Sequence, residues 1–295
     1  MDDHKNDITE RIGIMKLRFT KMHGISNDYI YISTFDQEVK DPEALAVRLS
    51  DRRTGIGGDG IILVCPSEVA DAKMRIFNAD GSEAKMCGNG VRCVGKFVYD
   101  TALVPEEKTV VTIDTLSGIK TLDLTVENGE AVSARVDMGA AILKPADIPA
   151  VYDGERMVNV PLSVNGQVWN VTAVSMGNPH CVTFVDDVDA LDLEKLGPSF
   201  ENHEAFPDRV NTEFVRVIDD HTLQMRVWER GSGETWACGT GACATVVAAC
   251  ENGYCKKGED VTVHLRGGDL LINYTDETVF MTGPATTVFE GTVTV

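Results

Sequence analysis

The chain has 295 residues, 43% of them hydrophobic and 25% charged, the composition of a folded globular protein long enough for two ordinary domains or one large one. Lys+Arg 27 against Asp+Glu 46 leaves a net charge of −19, a field that repels phosphate backbones and anionic lipid heads, so roles on nucleic acid or at a membrane surface are disfavoured. No apolar run approaches the ~18–20 residues of a membrane span, and MDDHKNDITERIGIM carries acids where a signal peptide needs a basic and then an apolar region. The expected setting is the cytoplasm.

In chain order, residues 1–14 read as an extension, and strand-like alternation begins at Met15 to Phe19. Pro42 to Leu49 has helical spacing behind Asp41, a good N-cap. Ile61–Cys65 and Lys73–Phe77 read as strands, and Val91–Tyr99 as a helix beginning just after the glycines of Cys87-Gly88-Asn89-Gly90. Val110–Asp114, Lys120–Val126 and a strand from Val132 follow, with turn signals at Ser117-Gly118 and Asn128-Gly129. The second half predicts strands near 168–174, 181–185, 213–218 and 223–229, a helix from about Ala242 to Asn252, and strands near 261–265, 269–274, 278–282 and 286–294. Many strands and few helices point to an α+β chain with largely antiparallel sheets.

Eight cysteines stand at positions 65, 87, 93, 181, 238, 243, 250 and 255, none in C-x-x-C spacing. The dense tract from Cys238 to Cys255 matches no common zinc or iron–sulfur spacing and lies in an apolar, helix-like stretch. Buried thiols acting as small hydrophobes account for Cys65, Cys181, Cys250 and Cys255. Cys87 and Cys238 require more.

Both lie in a repeat. MRIFNADGSEAKMCGNG (74–90) and MRVWERGSGETWACGTG (225–241) align without gaps at an offset of 151, with six identities in seventeen positions. The identities are Met74/Met225, Arg75/Arg226, Glu83/Glu234, Cys87/Cys238, Gly88/Gly239 and Gly90/Gly241. Two duplicated domains, each presenting one cysteine ahead of a helix, follow from this register. One C-G-x-G turn with a buried cysteine is unremarkable; two in register are not. A thiol in the turn before a helix faces unpaired N–H groups and the positive end of the helix dipole, which favours thiolate. The same N–H groups can hold a carboxylate. Two equivalent thiols suit inversion of a stereocentre, with a base on one face of a carbon and an acid on the other. No G-x-G-x-x-G dinucleotide fingerprint, P-loop or clear metal-ligand array accompanies them.

On these motifs the chain resembles the diaminopimelate epimerase family, from about Met15 to the C-terminus. The resemblance is carried by KMHGISNDYI (21–30), DRRTGIGGDGIIL (51–63), FNADGSEAKMCGNGVRC (77–93), SMGNPHCV (175–182), RVNTEFV (209–215), ERGSGETWACGTGACA (229–244) and MTGPA (281–285). It implies an α/β roll, an α+β fold of two pseudo-symmetric domains, each a mainly antiparallel sheet rolled around a central helix, with the active site between them. The implied boundaries are 15–131 for the N-terminal domain, 132–283 for the C-terminal one, and 284–295 as a strand returning to the first. The implied reaction converts LL- to meso-diaminopimelate without cofactor or metal, in lysine and peptidoglycan precursor synthesis, in a homodimer.

Carried over by position, Cys87 and Cys238 are the catalytic pair, exchanging thiolate and thiol roles with reaction direction. Gly88-Asn89 and Gly239-Thr240 match the cradles for the carboxylate at the reacting centre. Asn27, Asn78, Asn178, Asn211, Glu229 and Arg230 match substrate-binding positions, and His180 and Glu229 match residues supporting the cysteine environment. Taken without the family, Asn78 is a turn residue in N-A-D-G, Asn178 a turn residue before Pro179, and Asn27 an Asx turn. His180 alone is a structural histidine, and Glu229 with Arg230 a solvated strand end. Three positions depart from the family's pattern: Gly60 where many members have a substrate-contacting Gln, Met86 where Gln is frequent, and Ser26 for a common Gly. The rival readings are a proline or hydroxyproline racemase, a phenazine-type isomerase, a thiol-redox or iron–sulfur carrier, and a carboxylate-binding module without proton exchange.

Overall fold

The computed structural model describes residues 16–295, so the expectations for residues 1–14 and for Met15 lie outside it. The chain divides into two compact units, one running to Val132 and including Ala285–Val295, the other Ser133–Pro284.

The first unit opens with β1 (Lys16–Gly24), β2 (Asn27–Ser33), α1 (Pro42–Ser50), β3 (Gly60–Cys65), β4 (Ala72–Asn78) and the short β5 (Glu83–Ala84). Then come α2 (Gly88–Asp100), β6 (Val110–Thr115), β7 (Gly118–Glu127) and β8 (Glu130–Asp137), whose later residues belong to the second unit. The second unit continues with β9 (Val160–Val164), β10 (Gln167–Ser175), β11 (Pro179–Phe184), α3 (Leu193–Glu201), β12 (Asn211–Asp219), β13 (Thr222–Glu229) and β14 (Gly233–Thr235). It closes with α4 (Gly239–Glu251), β15 (Asp260–Leu265), β16 (Gly268–Tyr274) and β17 (Val279–Pro284), after which β18 (Thr286–Thr294) returns to the first unit.

The offset of 151 holds far beyond the motif. Helix α1 maps onto α3 and α2 onto α4 residue for residue, and β1 begins 151 residues before β10. The pairings agree as well. In the first unit β18, β1 and β2 run antiparallel, β2 meets β3 in parallel, β3 and β4 are antiparallel, β4 meets β6 in parallel, and β6 and β7 are antiparallel. In the second, β9, β10 and β11 are antiparallel, β11 meets β12 in parallel, β12 and β13 are antiparallel, and β13 meets β15 in parallel. Strands β15, β16, β17 and β8 complete it antiparallel. The fold is α+β with mainly antiparallel sheets. Each parallel pair needs a crossover, and each crossover carries a helix: α1 and α2 in one unit, α3 and α4 in the other.

The crossover from β4 to β6 puts α2 inside the bend of its sheet, against β1, β2, β4, β6 and β7; α4 lies likewise against β10 to β13 and β15 to β17. Gly88 to Tyr99 are all buried, as are Ala242 to Ala249. Helices α1 and α3 cover the other face. Leu45, Ala46 and Leu49 join Leu17, Ile30, Ile32, Ile61, Leu63 and Phe77 in one core, while Phe200 packs edge-to-face on Trp169 and Phe214 in the other. Strands covered on both faces lose apolar–polar alternation, which is why NDYIYIS reads poorly as a strand though Tyr29 to Ile32 are buried.

Local chemistry explains several boundaries. Asp41 caps α1 by accepting from Ala44 N at 3.0 Å, a contact worth ~1 kcal/mol. Asn128 and Gly129 have φ of 53° and 86°, the left-handed pair of a tight hairpin turn. Ser26, at φ 73°, occupies a conformation that glycine adopts without strain, a physical reason for the glycine that many family members carry there. Both central helices start three residues earlier than their sequence patterns indicate, with the cysteines themselves as N-caps. The motif's Arg and Glu also find their purpose: Arg75 grips Glu83 through Nε (2.8 Å) and NH2 (3.1 Å), and Arg226 grips Glu234 in the same way (2.8 and 3.0 Å). Each bidentate pair ties the strand before the turn to the short strand leading to the thiol.

Candidate active site

The repeated turn builds the same thiol setting twice. Cys87 has extended backbone (φ −133°, ψ 121°), and its Sγ accepts from Gly90 N at 3.3 Å; Cys238 (φ −121°, ψ 104°) accepts from Gly241 N at 3.3 Å. Neither helix carries an acidic residue in its first turn, so the positive end of each dipole is not neutralised from within. The last glycine of each motif is required by close approach. A methyl group at Gly90 would stand 2.8 Å from Ile62 Cδ1 and 3.1 Å from Met74 Cε; at Gly241 it would stand 2.7 Å from Glu213 Oε1 and 3.1 Å from Cys238 Sγ.

Around Cys87 the structure assembles Asn27, Gly88 and Asn89. The thiol donates to Asn27 Oδ1 at 3.2 Å, and Asn27 Nδ2 donates to Asp59 Oδ2 at 2.7 Å, which fixes the amide's orientation. Behind it Arg52 reaches Asp59 (2.9 Å) and forks onto Asp28 (3.1 and 2.6 Å), with buried Lys21 on the same carboxylate at 2.6 Å. Burial works against the Asp28 charge, but the Arg52 and Lys21 contacts outweigh it and hold the carboxyl below its usual range. These charged residues all lie in stretches quoted above for their resemblance, yet nothing in their spacing announces an orienting role. The Asn89 side chain turns inward, accepting from fully buried Arg92 at 3.1 Å.

Around Cys238 the structure assembles Glu229, Thr240, Asn178 and His180. Thr240 Oγ1 stands 3.7 Å from Sγ and accepts from Asn178 Nδ2 at 3.3 Å; Asn178 Oδ1 lies 3.1 Å from His180 Nε2; His180 Nδ1 lies 2.7 Å from Glu213 Oε1. Thr235 donates to Glu229. Burial pushes the Glu229 carboxyl up, and the Thr235 bond and the nearby Cys238 thiol only partly offset it. Burial also pushes the Cys238 thiol well up, and the carboxylates of Glu229 and Glu213 push it further. Asn27 and Asn178 are 151 residues apart and each reaches toward its own unit's thiol, a correspondence outside the aligned motif.

Three residues carried over by position make their side-chain bonds outside both of these thiol networks. Asn78 is held in its N-A-D-G turn by Ser82, through Nδ2 to Oγ (3.0 Å) and N to O (2.9 Å), so the turn role is real. Asn211 donates to Pro179 O (2.9 Å) and accepts from Arg230 N (2.9 Å), tying two strands to the Arg230 backbone. Arg230 itself donates to Asp208 O at 2.9 Å and forms no ion pair among the described residues. Adjacent Glu229 and Arg230 therefore serve different neighbourhoods, and Glu229 belongs to the thiol. Glu213 is the group sequence reasoning missed: it sits two residues after Asn211 on β12, hence on the same strand face, which was its available signal. Elsewhere burial pushes the Cys250 thiol up to about 12 and the Cys255 thiol to about 11, and raises those of Cys93 and Cys181 as well.

The departure at Gly60 has a steric basis. A side chain there would begin 2.1 Å from Phe77 O and 2.9 Å from Tyr29 Cε1. Gly60→Gln is therefore expected to lose roughly 1–3 kcal/mol by forcing β3 from β4, rather than to supply a substrate contact. Urea unfolding checks this, and an unchanged midpoint would refute it.

Solved structures share this architecture. A probable proline racemase from Agrobacterium radiobacter superposes with a TM-score of 0.71 at 14% identity, covering 94% of this chain and 92% of that one. A hydroxyproline epimerase from Agrobacterium vitis gives 0.68 at 13%, covering 95% and 91%. The chain thus has the two-domain fold that these proteins and the PhzF proteins share. Sequence narrows the class. The family described as diaminopimelate epimerase matches residues 19–144 and 172–288. The diaminopimelate epimerase of Methanococcus maripaludis is 52% identical over 279 residues, covering 94% of this chain and 99% of that protein, and that of Agathobacter rectalis is 54% identical over 286 residues with the same coverage. The chain belongs to the diaminopimelate epimerase family, a family of isomerases.

Proposed function

We propose that this protein interconverts LL- and meso-diaminopimelate by two-thiol proton transfer, in the supply of lysine and peptidoglycan precursors. The observation that carries the reading is the duplicated helix cap: Cys87 and Cys238 each accept the N–H of the last motif glycine, in a member of this family. One sulfur, as thiolate, removes the α-proton. The electron pair left on carbon spreads into the α-carboxylate, whose growing charge is met by N–H groups at the helix starts of Gly88-Asn89 and Gly239-Thr240. The other sulfur, as thiol, delivers its proton to the opposite face, and the two exchange roles in the reverse direction. Asn27 and Asn178 orient the groups about each sulfur, and His180 and Glu229 support Cys238. Asn78, Asn211 and Arg230 serve the distal amino-acid end.

This chemistry asks for no metal or organic cofactor. We assign the reaction to the cytoplasm, whose reducing conditions suit eight free cysteines, and take the working form to be a homodimer as in the family. No helix among the described residues is long and apolar enough to cross a membrane. A proline-type racemase is the alternative in the same fold, and its likeness at 13–14% identity speaks for fold alone. Incubation with LL-diaminopimelate in deuterated water tests the assignment. Inversion with one α-deuterium gained, undiminished after exhaustive chelation, is expected. Inversion without deuterium, activity lost with a chelated metal, or turnover of proline in place of diaminopimelate would overturn it.

A further inference from the structure

The duplication asks why Glu213 exists. Its counterpart 151 residues earlier is Ile62, a fully buried core residue, so the shared frame needs no acid there. Glu213 is equally buried at 0% exposure, and only one of its oxygens is bonded: Oε1 meets His180 Nδ1 at 2.7 Å, while Oε2 has no hydrogen-bond partner. Neighbouring Glu201 shows the ordinary solution, its oxygens taking Trp228 Nε1, Gly231 N and Arg209. A buried carboxylate left half satisfied is costly to a fold and calls for an explanation.

Its position supplies one. The point where a Gly241 side chain would begin lies 2.7 Å from Glu213 Oε1 and 3.1 Å from Cys238 Sγ, so carboxylate and sulfur are no farther apart than those two distances laid end to end. A Gly241 side chain would crowd both. Glu213 also reaches Cys238 through a chain of side chains: His180, Asn178 and Thr240. We propose that Glu213 is a positioning residue for the second thiol, orienting His180 through Nδ1 and keeping Cys238 protonated by a negative charge set beneath its turn. The proposal deepens the two-thiol reading and rests on it only for its effect on turnover.

Among the described residues, the groups acting most strongly on this sulfur are Glu229 from β13, Glu213 from β12, and the Thr240 hydroxyl and Gly241 N–H from its own helix. His180 from β11 meets Glu213, and Cys181, on the opposite face of that strand, feels its charge. Glu229 and Glu213 oppose thiolate, Thr240 and Gly241 favour it. Removing the Glu213 charge must therefore ease ionisation of Cys238. The first unit has no such acid, its corresponding positions being Ile62 and Asn78, so Cys87 is the internal control.

The test is a pH titration of cysteine 13Cβ resonances, assigned with Cys87→Ser and Cys238→Ser, in the full-length wild type and Glu213→Gln. Glutamine keeps an acceptor for His180 Nδ1 and loses the charge. The Cys238 midpoint is expected to fall by about one unit or more, roughly tenfold more thiolate at a given pH, with the Cys87 midpoint unmoved. An unmoved Cys238 midpoint, or an equal shift at both cysteines, overturns the proposal. If the variant does not fold, 15N spectra of histidine-labelled wild type decide: a proton on His180 Nδ1 is required, and a bare Nδ1 refutes the orientation. Should Cys238 shift in a protein that fails to invert diaminopimelate, the two-thiol assignment falls and the placement of Glu213 stands. An active enzyme with an unmoved midpoint is the reverse case.

Discussion

Cys87→Ala and Cys238→Ala are each expected to reduce epimerisation by on the order of a thousandfold or more, since one sulfur cannot serve both faces of a carbon. The two variants should nevertheless remain folded. Each sulfur caps its helix through a single N–H at 3.3 Å, and loss of a cap of this kind costs ~1 kcal/mol. Far-UV circular dichroism and melting midpoints near wild type would separate lost chemistry from lost structure. The informative signal is isotopic. A variant with one sulfur retains a base for one epimer, so slow exchange of that epimer's α-proton with solvent deuterium can persist without inversion. Epimerisation within tenfold of wild type in either variant would rule out a two-thiol mechanism.

Arg230→Ala should lower kcat/KM for diaminopimelate at least about a hundredfold, the usual consequence of deleting one partner of a desolvated charge pair. Arg230 is half-buried as a residue, and its guanidinium makes one bond, to Asp208 O at an exposed position, and meets no carboxylate among the described residues. Its backbone is fixed by Asn211. A planar fork held this way and lacking an anion suits the distal carboxylate of a two-headed amino acid. Lysine, which lacks that group, is the comparison. Wild type should discriminate strongly against it, and Arg230→Ala should lose much of that discrimination. Thiol reactivity at Cys87 and Cys238 should be unaffected. Equal turnover of lysine and diaminopimelate by wild type would remove Arg230 from this role.

The two thiol turns were legible because duplication prints them twice, and glycine at the fourth motif position marks a helix pressed against a sheet. Most strands showed through alternation or a bounded apolar run. What escaped has physical causes. Helix α3 contains Gly197 and Pro198, both helix breakers, yet a methyl at Gly197 would lie 2.1 Å from the Trp228 ring, so tertiary packing demands the glycine. The β9–β10 hairpin turns on Asn165-Gly166, at φ 53° and 76°, a signal as strong as the Asn128-Gly129 turn. Within the site, single residues were named by resemblance, but their couplings were not. His180 and Glu213 meet only because β11 and β12 run in parallel with His180 opposite Asn211, a register no local spacing encodes. The Asn27–Asp59–Arg52–Asp28 network likewise links strands to a loop. Residue types announced the chemistry, while pairing depended on the fold.

The return of β18 to β1 has a bearing on how the protein is made. Ser133–Pro284 is continuous in sequence and holds the partners for all its strands once synthesised, β8 included. The first unit is not: β1 pairs with Thr286–Thr294, so its sheet lacks a strand until those residues have left the ribosome. N-terminal-first maturation is the common rule during translation. Here the half translated first is the half completed last, and until then β1 offers an open edge of the kind that invites wrong partners. The acidic chain around it, at −19, is one guard against that association.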